Sequence, residues 1–199
     1  MNPMTISMAI DVTEPSLPFY EGIALSDVRV IETQSHAQEA LAALLAADVI
    51  GFDTESKPTF NKGEQSEGPH LIQLATDDIA YLFPIGRFSY AEVLKAVLES
   101  SKILKVGFGL GDDVKRLKTK CGIGSAHVLD LSVALRQDSR NDVGAKTAVA
   151  RLFGSHLRKS KKTSTSNWAK FPLTERQILY AANDAHVALR IYRFWRKNA

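Results

Sequence analysis

The chain has 199 residues, of which 45% are apolar and 24% charged, with a formal net charge of +3. This balance is typical of one globular domain and excludes collagen-like and disordered chains, and no apolar run approaches the roughly 20 residues that span a bilayer. The N-terminus lacks the basic start of a signal peptide, and the single cysteine, Cys121, excludes an internal disulfide, so we expect a cytoplasmic protein.

The first half of the chain is predicted to supply most of the strands. Residues 1–27 are expected to form a weakly ordered N-terminal extension, and residues 28–199 a single domain. The apolar pattern predicts, in order, a strand at Val28–Ile31, a helix at Ala37–Ala47, a strand at Val49–Phe52 and a hairpin of His70–Ala75 and Ile79–Phe83. The polar segment Lys57–Pro69 is predicted to be a loop that precedes the hairpin.

The second half is predicted to interleave helices with the remaining strands. The pattern predicts a helix at Ser89–Glu99, a strand at Ile103–Val106, a helix at Asp112–Lys120, a strand or helix at Val128–Val133, a helix at Gly144–Phe153, a basic loop at Arg158–Asn167 and a long amphipathic helix at Thr174–Trp195. Arg193, Arg196 and Lys197 lie at the end of the last helix, where cations complement the helix dipole. Strands followed by interleaved helices favour an α/β fold with helices on the faces of a sheet.

Four acidic residues that are remote in the sequence are placed where they can converge. Asp53 and Glu55 are two residues apart at the end of the predicted Val49 strand, so both project from one face of it. Asp113 follows a glycine-rich turn after another strand, and Asp184 lies four residues after Tyr180, on the same face of the last helix. Taken singly, each acid is better explained as a solvated side chain or as a partner of a helix dipole.

Carboxylates gathered in one place repel one another, so they stay ionised together only if cations neutralise them. Oxygen donors without cysteine or histidine favour Mg²⁺ or Mn²⁺ over zinc. Two such ions about 4 Å apart are a known device for in-line phosphoryl displacement, in which one ion polarises the attacking water and the other stabilises the leaving oxygen. Taken together, the four acids therefore predict a phosphoryl-transfer site with two divalent ions.

A dinucleotide-binding site is an alternative from a different functional class. Gly107-Phe108-Gly109 follows a predicted strand and opens a helix, and Asp130 stands about 20 residues later, as that fingerprint requires. The third glycine position, however, is Asp112, whose charge is a poor neighbour for a pyrophosphate. This alternative also leaves the acids of the first strand and of the last helix unexplained.

Three segments, in this order along the chain, carry a resemblance to a known family. They are Val49-Ile50-Gly51-Phe52-Asp53-Thr54-Glu55, then Val106-Gly107-Phe108-Gly109-Leu110-Gly111-Asp112-Asp113 with Leu117, and finally Leu173-Thr174, Gln177 and Leu179-Tyr180-Ala181-Ala182-Asn183-Asp184-Ala185. With them, roughly residues 28 to 196 resemble the DEDD superfamily of 3′–5′ exonucleases, in the tyrosine branch that includes ribonuclease D and the Werner-syndrome exonuclease domain. The resemblance implies a ribonuclease H-like mixed β-sheet flanked by α-helices. It also implies hydrolysis of DNA or RNA from the 3′ end to nucleoside 5′-monophosphates.

The resemblance also assigns roles to individual residues. It implies that Asp53, Glu55 and Asp184 ligate the catalytic ion, that Asp53 bridges to a second ion, and that Asp113 holds this second ion. Tyr180 would orient the attacking water, because a neutral phenol with a pKa near 10 suits orientation better than proton abstraction. Asp113 is preferred to its neighbour Asp112 because it keeps the family's spacing to the flanking apolar residues.

Two positions need comment beside that pattern. His186 suggests the histidine branch of the superfamily, but it lies on nearly the opposite helix face from Asp184, so we expect a structural or solvated role. Ser56 stands where the family often has an aromatic residue, so stacking of the substrate near the first motif is not expected from that position.

A dense basic cluster precedes the third motif. Arg158, Lys159, Lys161 and Lys162 predict salt-dependent contacts to phosphates, and Trp168 could stack a base beside them. A solvated loop and a core tryptophan are the alternatives. A second functional alternative is a non-catalytic nucleic-acid-binding domain of the same fold, although every implied catalytic position is intact here.

Overall fold

The computed structural model describes residues 17–59, 63, 66–86, 90–137 and 141–198. Within these residues, six strands form one mixed sheet; they are β1 (Val28–Val30), β2 (Val49–Glu55), β3 (Leu71–Ala75), β4 (Ala80–Pro84), β5 (Leu104–Gly107) and β6 (Val128–Asp130). The helices are α1 (Gln34–Ala46), α2 (Ala91–Leu98), α3 (Gly111–Arg116), α4 (Leu131–Ala134), α5 (Ala145–Phe153), α6 (Lys161–Ser164) and α7 (Glu175–Lys197).

The sheet runs in the order β1-β4-β3-β2-β5-β6 and is parallel except for β3. The predicted hairpin is confirmed, because β3 pairs antiparallel with β4. Strand β2 lies at the centre, paired with β3 on one side and with β5 on the other. The end of β2 that carries Asp53 and Glu55 therefore lies beside the end of β5 that leads into α3, and the sheet itself brings the first two motifs together.

Apolar side chains cover both faces of the sheet. On one face, α1 and α2 pack against a cluster that includes Ile50, Phe52 and Phe83. On the other face, α5 and α7 pack against two clusters, around Leu71 and Leu82 and around Val49 and Val106. The alternation along β2 assigns its apolar residues Ile50 and Phe52 to the first face. It turns Asp53 and Glu55 toward α7.

The long helix α7 is held very close to the centre of the sheet. It begins with a capping box, in which the Thr174 side chain accepts from the Gln177 amide and the Gln177 side chain accepts from the Thr174 amide. At Gly51, a Cβ atom would lie 1.9 Å from the carbonyl oxygen of Ala185. Only a residue without a side chain allows this approach, so Gly51 sets the depth at which α7 crosses β2.

The described part of the N-terminal extension makes specific contacts. Residues 25–27 form a short 3₁₀ turn, Phe19 forms a bridge with His156, and the Tyr20 ring stacks on Phe153 with centroids 5.6 Å apart. Residues 17–27 are therefore packed against the domain and are not a loose tail. The expectation of weak order for residues 1–16 lies outside the described residues.

Several predicted elements need correction in detail. The predicted Asp112–Lys120 helix is α3 followed by a π-helical turn at Leu117–Cys121, and the ambiguous segment at Val128–Val133 is the strand β6 followed directly by α4. The basic loop contains α6, whose N-cap is Ser160. Ser89, the predicted start of the Glu99 helix, lies outside the described residues. No described helix combines the length and the apolar character needed to cross a membrane.

Candidate active site

Strand β2 and helix α7 bring four of the predicted site residues into one place. Asp53 and Glu55 lie on the α7-facing side of β2, and Tyr180 and Asp184 lie one turn apart on the helix just before its contact at Gly51. The negative charge of Asp184 raises the pKa of both β2 carboxyl groups, as expected for acids that lie near one another. The close packing of Ala185 on β2 thus places the α7 residues of the site.

Asp113 joins the same group from α3. The Thr54 hydroxyl donates a short hydrogen bond to the Asp113 carboxylate, and the charge of Asp113 acts on Asp53 and Glu55. Asp112, the other candidate, is exposed to solvent. The structure therefore places Asp113, and not Asp112, at the site. Thr54 is a site residue that the sequence interpretation missed, since a threonine within a strand carries no signal of its own.

Burial and mutual repulsion raise the pKa values of the carboxyl groups. Burial, followed by repulsion from Asp184 and Asp113, raises the pKa of Asp53 well above its usual range. Burial and the charge of Asp53 raise the pKa of Glu55 to about 9. Burial also raises the pKa of Asp184, although a neighbouring ammonium opposes this shift. Positive charge placed near these carboxyl groups would favour their ionised forms and would therefore bind strongly.

Lys159 supplies positive charge from within the protein. Its Nζ lies 3.0 Å from Oδ1 of Asp184 and 6.0 Å from the centroid of the Tyr180 ring. Burial opposes the charge of this lysine, but Asp184, Asp53 and Glu55 together raise its pKa. The sequence grouped Lys159 with an exposed basic cluster, whereas the structure places its ammonium among the carboxylates.

Tyr180 is held from two sides. Burial, followed by the charges of Asp184 and Glu55, raises the pKa of its phenol, which therefore stays protonated at neutral pH. The side chains of Asp184 and Ser164 both influence the pKa of the phenol, which places them beside it. This arrangement agrees with a role in orientation and not in proton abstraction.

Trp168 supports this arrangement from behind. It is 2% exposed, its ring lies 6.1 Å from that of Tyr180, and its Nε1 donates to the carbonyl oxygen of Ser164 at 3.1 Å. A buried ring cannot stack on a base, so the predicted stacking role of Trp168 is corrected to packing beneath Tyr180.

The remaining predicted basic residues lie on the surface next to the site. Arg158, Lys161 and Lys162 are exposed, and the Arg158 guanidinium lies 3.6 Å above the centre of the Phe19 ring. These positions are compatible with contacts to an anionic chain, and that role stays a prediction. His186 lies in the core, with Nε2 3.1 Å from the carbonyl oxygen of Asp77, which agrees with the expected structural role.

The structure assigns the glycine-rich turn a structural task. The Asp130 carboxylate accepts hydrogen bonds at 2.9 Å from the backbone amides of Gly109 and Leu110, and it also caps α4 through Ser132. In a dinucleotide-binding fold, this acid would instead be available to a ribose. The dinucleotide alternative is therefore not supported.

The donor set suits hard divalent ions, with carboxylate oxygens and neither thiolate nor imidazole. Among the described residues, no three acidic, histidine or cysteine side chains surround one point as a finished cage. Asp113 is turned toward Thr54 and Asp184 toward Lys159. Gln73, the cross-strand partner of Asp53, has buried Oε1 and Nε2 atoms without a protein partner, and a bound water or ligand would satisfy them.

Known proteins resemble this chain over most of its length. Residues 28–198 match a family model described as a 3′–5′ exonuclease. Over 187 residues, the chain is 30% identical to the bifunctional 3′–5′ exonuclease/ATP-dependent helicase WRN of Mus musculus; this covers 92% of the chain but only 13% of the mouse protein.

Solved structures extend the similarity to the fold. The Nibbler EXO domain of Aedes aegypti superposes with a TM-score of 0.74 at 26% identity, covering 88% of this chain and 89% of that one. Ribonuclease D of Trypanosoma brucei in complex with RNA U12 gives a TM-score of 0.73 at 24% identity, covering 84% and 61%. The ribonuclease H-like fold expected from the sequence is thereby confirmed.

Proposed function

The chain belongs to the 3′–5′ exonuclease family of the DEDD superfamily, and on this premise we propose that it hydrolyses terminal phosphodiester bonds at the 3′ end of nucleic acid, releasing nucleoside 5′-monophosphates. The observation that carries the proposal is the proximity of Asp53, Glu55 and Asp184 to the Tyr180 phenol, with Asp113 close to the two acids of β2. Raised carboxyl pKa values at a partly buried site are a feature of functional sites more than of structural ones.

The proposal includes divalent cations, Mg²⁺ or Mn²⁺, as cofactors. Asp53, Glu55 and Asp184 would hold one ion and Asp113, with Asp53, a second. When bound, such ions supply Lewis-acid activation of water and stabilisation of the leaving oxygen. To hold the ions, Asp113 would exchange its contact with Thr54, and Asp184 its contact with Lys159, for contacts with the cations.

The chain's own residues then have distinct tasks. The protonated phenol of Tyr180 orients the attacking water, and Ser164 and Trp168 limit the movement of that phenol. The Lys159 ammonium opposes the rise in the pKa of Asp184 and so favours its ionised form. The depth of α7 against Gly51 keeps the two halves of the carboxylate group at a fixed separation.

The test is degradation of DNA and RNA oligonucleotides, single- and double-stranded and labelled at either end, with Mg²⁺, with Mn²⁺ and with EDTA. We expect stepwise shortening from the 3′ end with a divalent ion and none with EDTA. The Asp184→Asn protein should remain folded, as judged by circular dichroism, and lose activity. Full activity in this variant would refute the assignment, and metal-dependent binding without degradation by the wild type would favour the non-catalytic alternative.

Tyr180→Phe separates orientation of water from metal binding. Removing only the hydroxyl should lower kcat by about 100-fold, the usual size of a positioned catalytic hydroxyl contribution. The Mn²⁺ concentration that gives half-maximal thermal stabilisation should stay close to that of the wild type. An unchanged kcat would remove Tyr180 from the proposed mechanism.

A further inference from the structure

Two adjoining hollows lie between the α6 segment and the N-terminal half of α7. The inner hollow, of about 200 Å³, reaches the catalytic residues and is lined by residues that include Arg158, Ser160, Thr163, Arg176, Tyr180 and Asp184. The outer hollow, of about 220 Å³, is lined by residues that include Lys162, Thr163, Asn167, Lys170, Thr174 and Arg176. Because the hollows share Thr163 and Arg176, they form one path that leads away from the site.

The path is strongly cationic. Its described lining includes Arg158, Lys162, Lys170 and Arg176, and Asp184 is the only acid among these lining residues. Within the described part of the chain, no salt bridge joins any of these four cations to an acid. Surface arginines and lysines more often lie among acids of the opposite sign, so this arrangement favours an external anion.

Thr163 marks the junction of the two hollows. It is 3% exposed, and its Oγ1 is buried without a protein partner. A buried hydroxyl without a partner is uncommon, and a bound anion or water normally accounts for one. The first turn of α7 opens at the same place, since its N-cap Thr174 lines the outer hollow, and a 23-residue helix directs its positive dipole end there.

From these observations, we propose that the two hollows bind consecutive phosphate groups of the nucleic-acid strand upstream of the scissile bond. The inner hollow takes the phosphate nearest to the catalytic residues, and the outer hollow takes the next one through Lys162, Lys170 and Arg176. The assignment of strand direction rests on the proposed function. The assignment of the hollows to phosphates rests on their charge and on Thr163.

The test measures binding separately from cleavage. Fluorescence anisotropy with a labelled single-stranded 20-mer in EDTA gives the Kd of the wild type, Lys170→Gln and Arg176→Gln over a series of salt concentrations. The logarithm of the association constant falls linearly with log[salt]. Each lost phosphate contact should make this slope less steep by about 0.7, because single strands release about that number of counterions per contact. The Kd at low salt should rise several-fold for either variant.

Arg190→Gln is the matched control, since it is an exposed arginine on the same helix. It lies fourteen residues from Arg176, a distance of about 21 Å along the axis. This variant should keep the wild-type Kd and salt slope. Equal losses in Arg190→Gln and Arg176→Gln would reduce the effect to net charge and overturn the proposal.

A series of substrate lengths tests position along the strand. A dinucleotide has only the scissile phosphate, whereas longer strands reach first the inner and then the outer hollow. The ratio of KM in Arg176→Gln to KM in the wild type should therefore grow with length and then level off. A ratio independent of length would refute the phosphate path while leaving the exonuclease proposal intact. Absence of degradation by the wild type would refute that proposal and leave the binding experiment valid.

Discussion

The two halves of α7 carry charge in opposite ways. Near its N-terminal end, Asp184 is buried with other carboxylates, and repulsion contributes to their raised pKa values. Nine residues further on, Arg193 is bonded to two acids on loops of the sheet, with its Nη2 2.6 Å from Asp48 Oδ1 and 2.9 Å from Asp77 Oδ2. Hydrogen bonding to Arg193 lowers the pKa of Asp48 to about 2.

The two halves of α7 therefore have different roles. The contacts of Arg193 attach the helix to the sheet, whereas Asp184 belongs to the candidate active site. The Arg193 contacts are complementary and half-exposed, and they stabilise the position of α7 on the sheet. The Asp184 group is unfavourable in isolation, because like charges are held together out of water. A protein tolerates such a group where a cation or a reaction requires it, and the close packing of Ala185 on Gly51 keeps this part of the helix in place.

The largest expected effect comes from a substitution in the carboxylate group that surrounds Asp184, beside the N-terminal half of α7. Asp53→Asn should lower the rate of nucleic-acid degradation by at least about 1,000-fold, since it removes a proposed ligand of both catalytic ions. In the absence of metal, this variant should unfold at the same temperature as the wild type or a higher one, because the amide cannot ionise and ends the unfavourable coupling of Asp53 with its acidic neighbours. Thermal unfolding followed by circular dichroism measures the second effect.

The exposed neighbour Asp112 provides the control for this comparison. Asp112→Asn makes the same chemical change outside the carboxylate group and should leave both activity and unfolding temperature near the wild-type values. A marked fall in the unfolding temperature of Asp53→Asn would mean that this acid stabilises the fold, and the contrast between the two halves of α7 would be lost.

Gly51→Ala tests how closely α7 must approach β2. The new methyl group would collide with the backbone carbonyl of Ala185, which no side-chain rotation can relieve. We expect a loss of about 3 kcal/mol in the free energy of unfolding, at the upper end for overpacked positions, together with a loss of activity as Asp184 moves. Gly144→Ala, where a Cβ meets open space, should change stability by less than about 1 kcal/mol.

The acids that lie beside the two halves of α7 should also change the stability of the protein in opposite ways as the pH changes. Glu55 has a folded pKa of about 9 against an ordinary value of 4.5, so between these values the folded state holds a proton that the unfolded state has lost. The metal-free protein should therefore lose stability as pH rises from about 5 to 9. Asp48, with its pKa lowered from 3.8 to about 2, contributes stability that is present above pH 4 and lost as pH falls toward 2.

Urea unfolding of the metal-free protein measures the free energy of unfolding across this pH range. Glu55→Gln should reduce the fall in this free energy between pH 5 and 9 and leave its change below pH 4 unaffected. Saturating Mg²⁺ should reduce the same fall, because a bound cation competes with the proton. A wild-type stability that rises steadily from pH 5 to 9 would contradict the burial of Glu55 among like charges.

The sequence predicted the carboxylate group around Asp184 better than the ion pairs of Arg193. Periodicity placed Asp53 and Glu55 on one face of a strand and Asp184 on the same helix face as Tyr180, and the family resemblance implied that these faces meet. Arg193 was assigned to the helix dipole, and its contacts with Asp48 and Asp77 could not be foreseen. Those contacts depend on how two loops fold back beside the end of α7, which no local pattern encodes.

The same limit applies around the site. Lys159 and Trp168 were both assigned to a nucleic-acid surface, since a basic run beside an aromatic residue is the local signal for one. Which of these side chains turns inward depends on the path of the α6 segment over α7. The fold itself, with its hairpin, its helices on both faces and its long final helix, was predictable because each element has its own apolar period.

The smallest expected effect comes from removing the ion pairs of Arg193, in the C-terminal half of α7. Arg193→Gln keeps most of the side-chain volume and removes the charge that joins α7 to Asp48 and Asp77. A half-exposed ion pair of this kind contributes about 0.5–1 kcal/mol, so the variant should unfold at slightly lower urea concentrations and lose the dependence of its stability on the ionisation of Asp48. Its degradation rate should equal that of the wild type, because Asp184 is positioned by the Gly51 contact and not by the far end of the helix. A fall in kcat without a change in the unfolding midpoint would show instead that the two halves of α7 act on the site together.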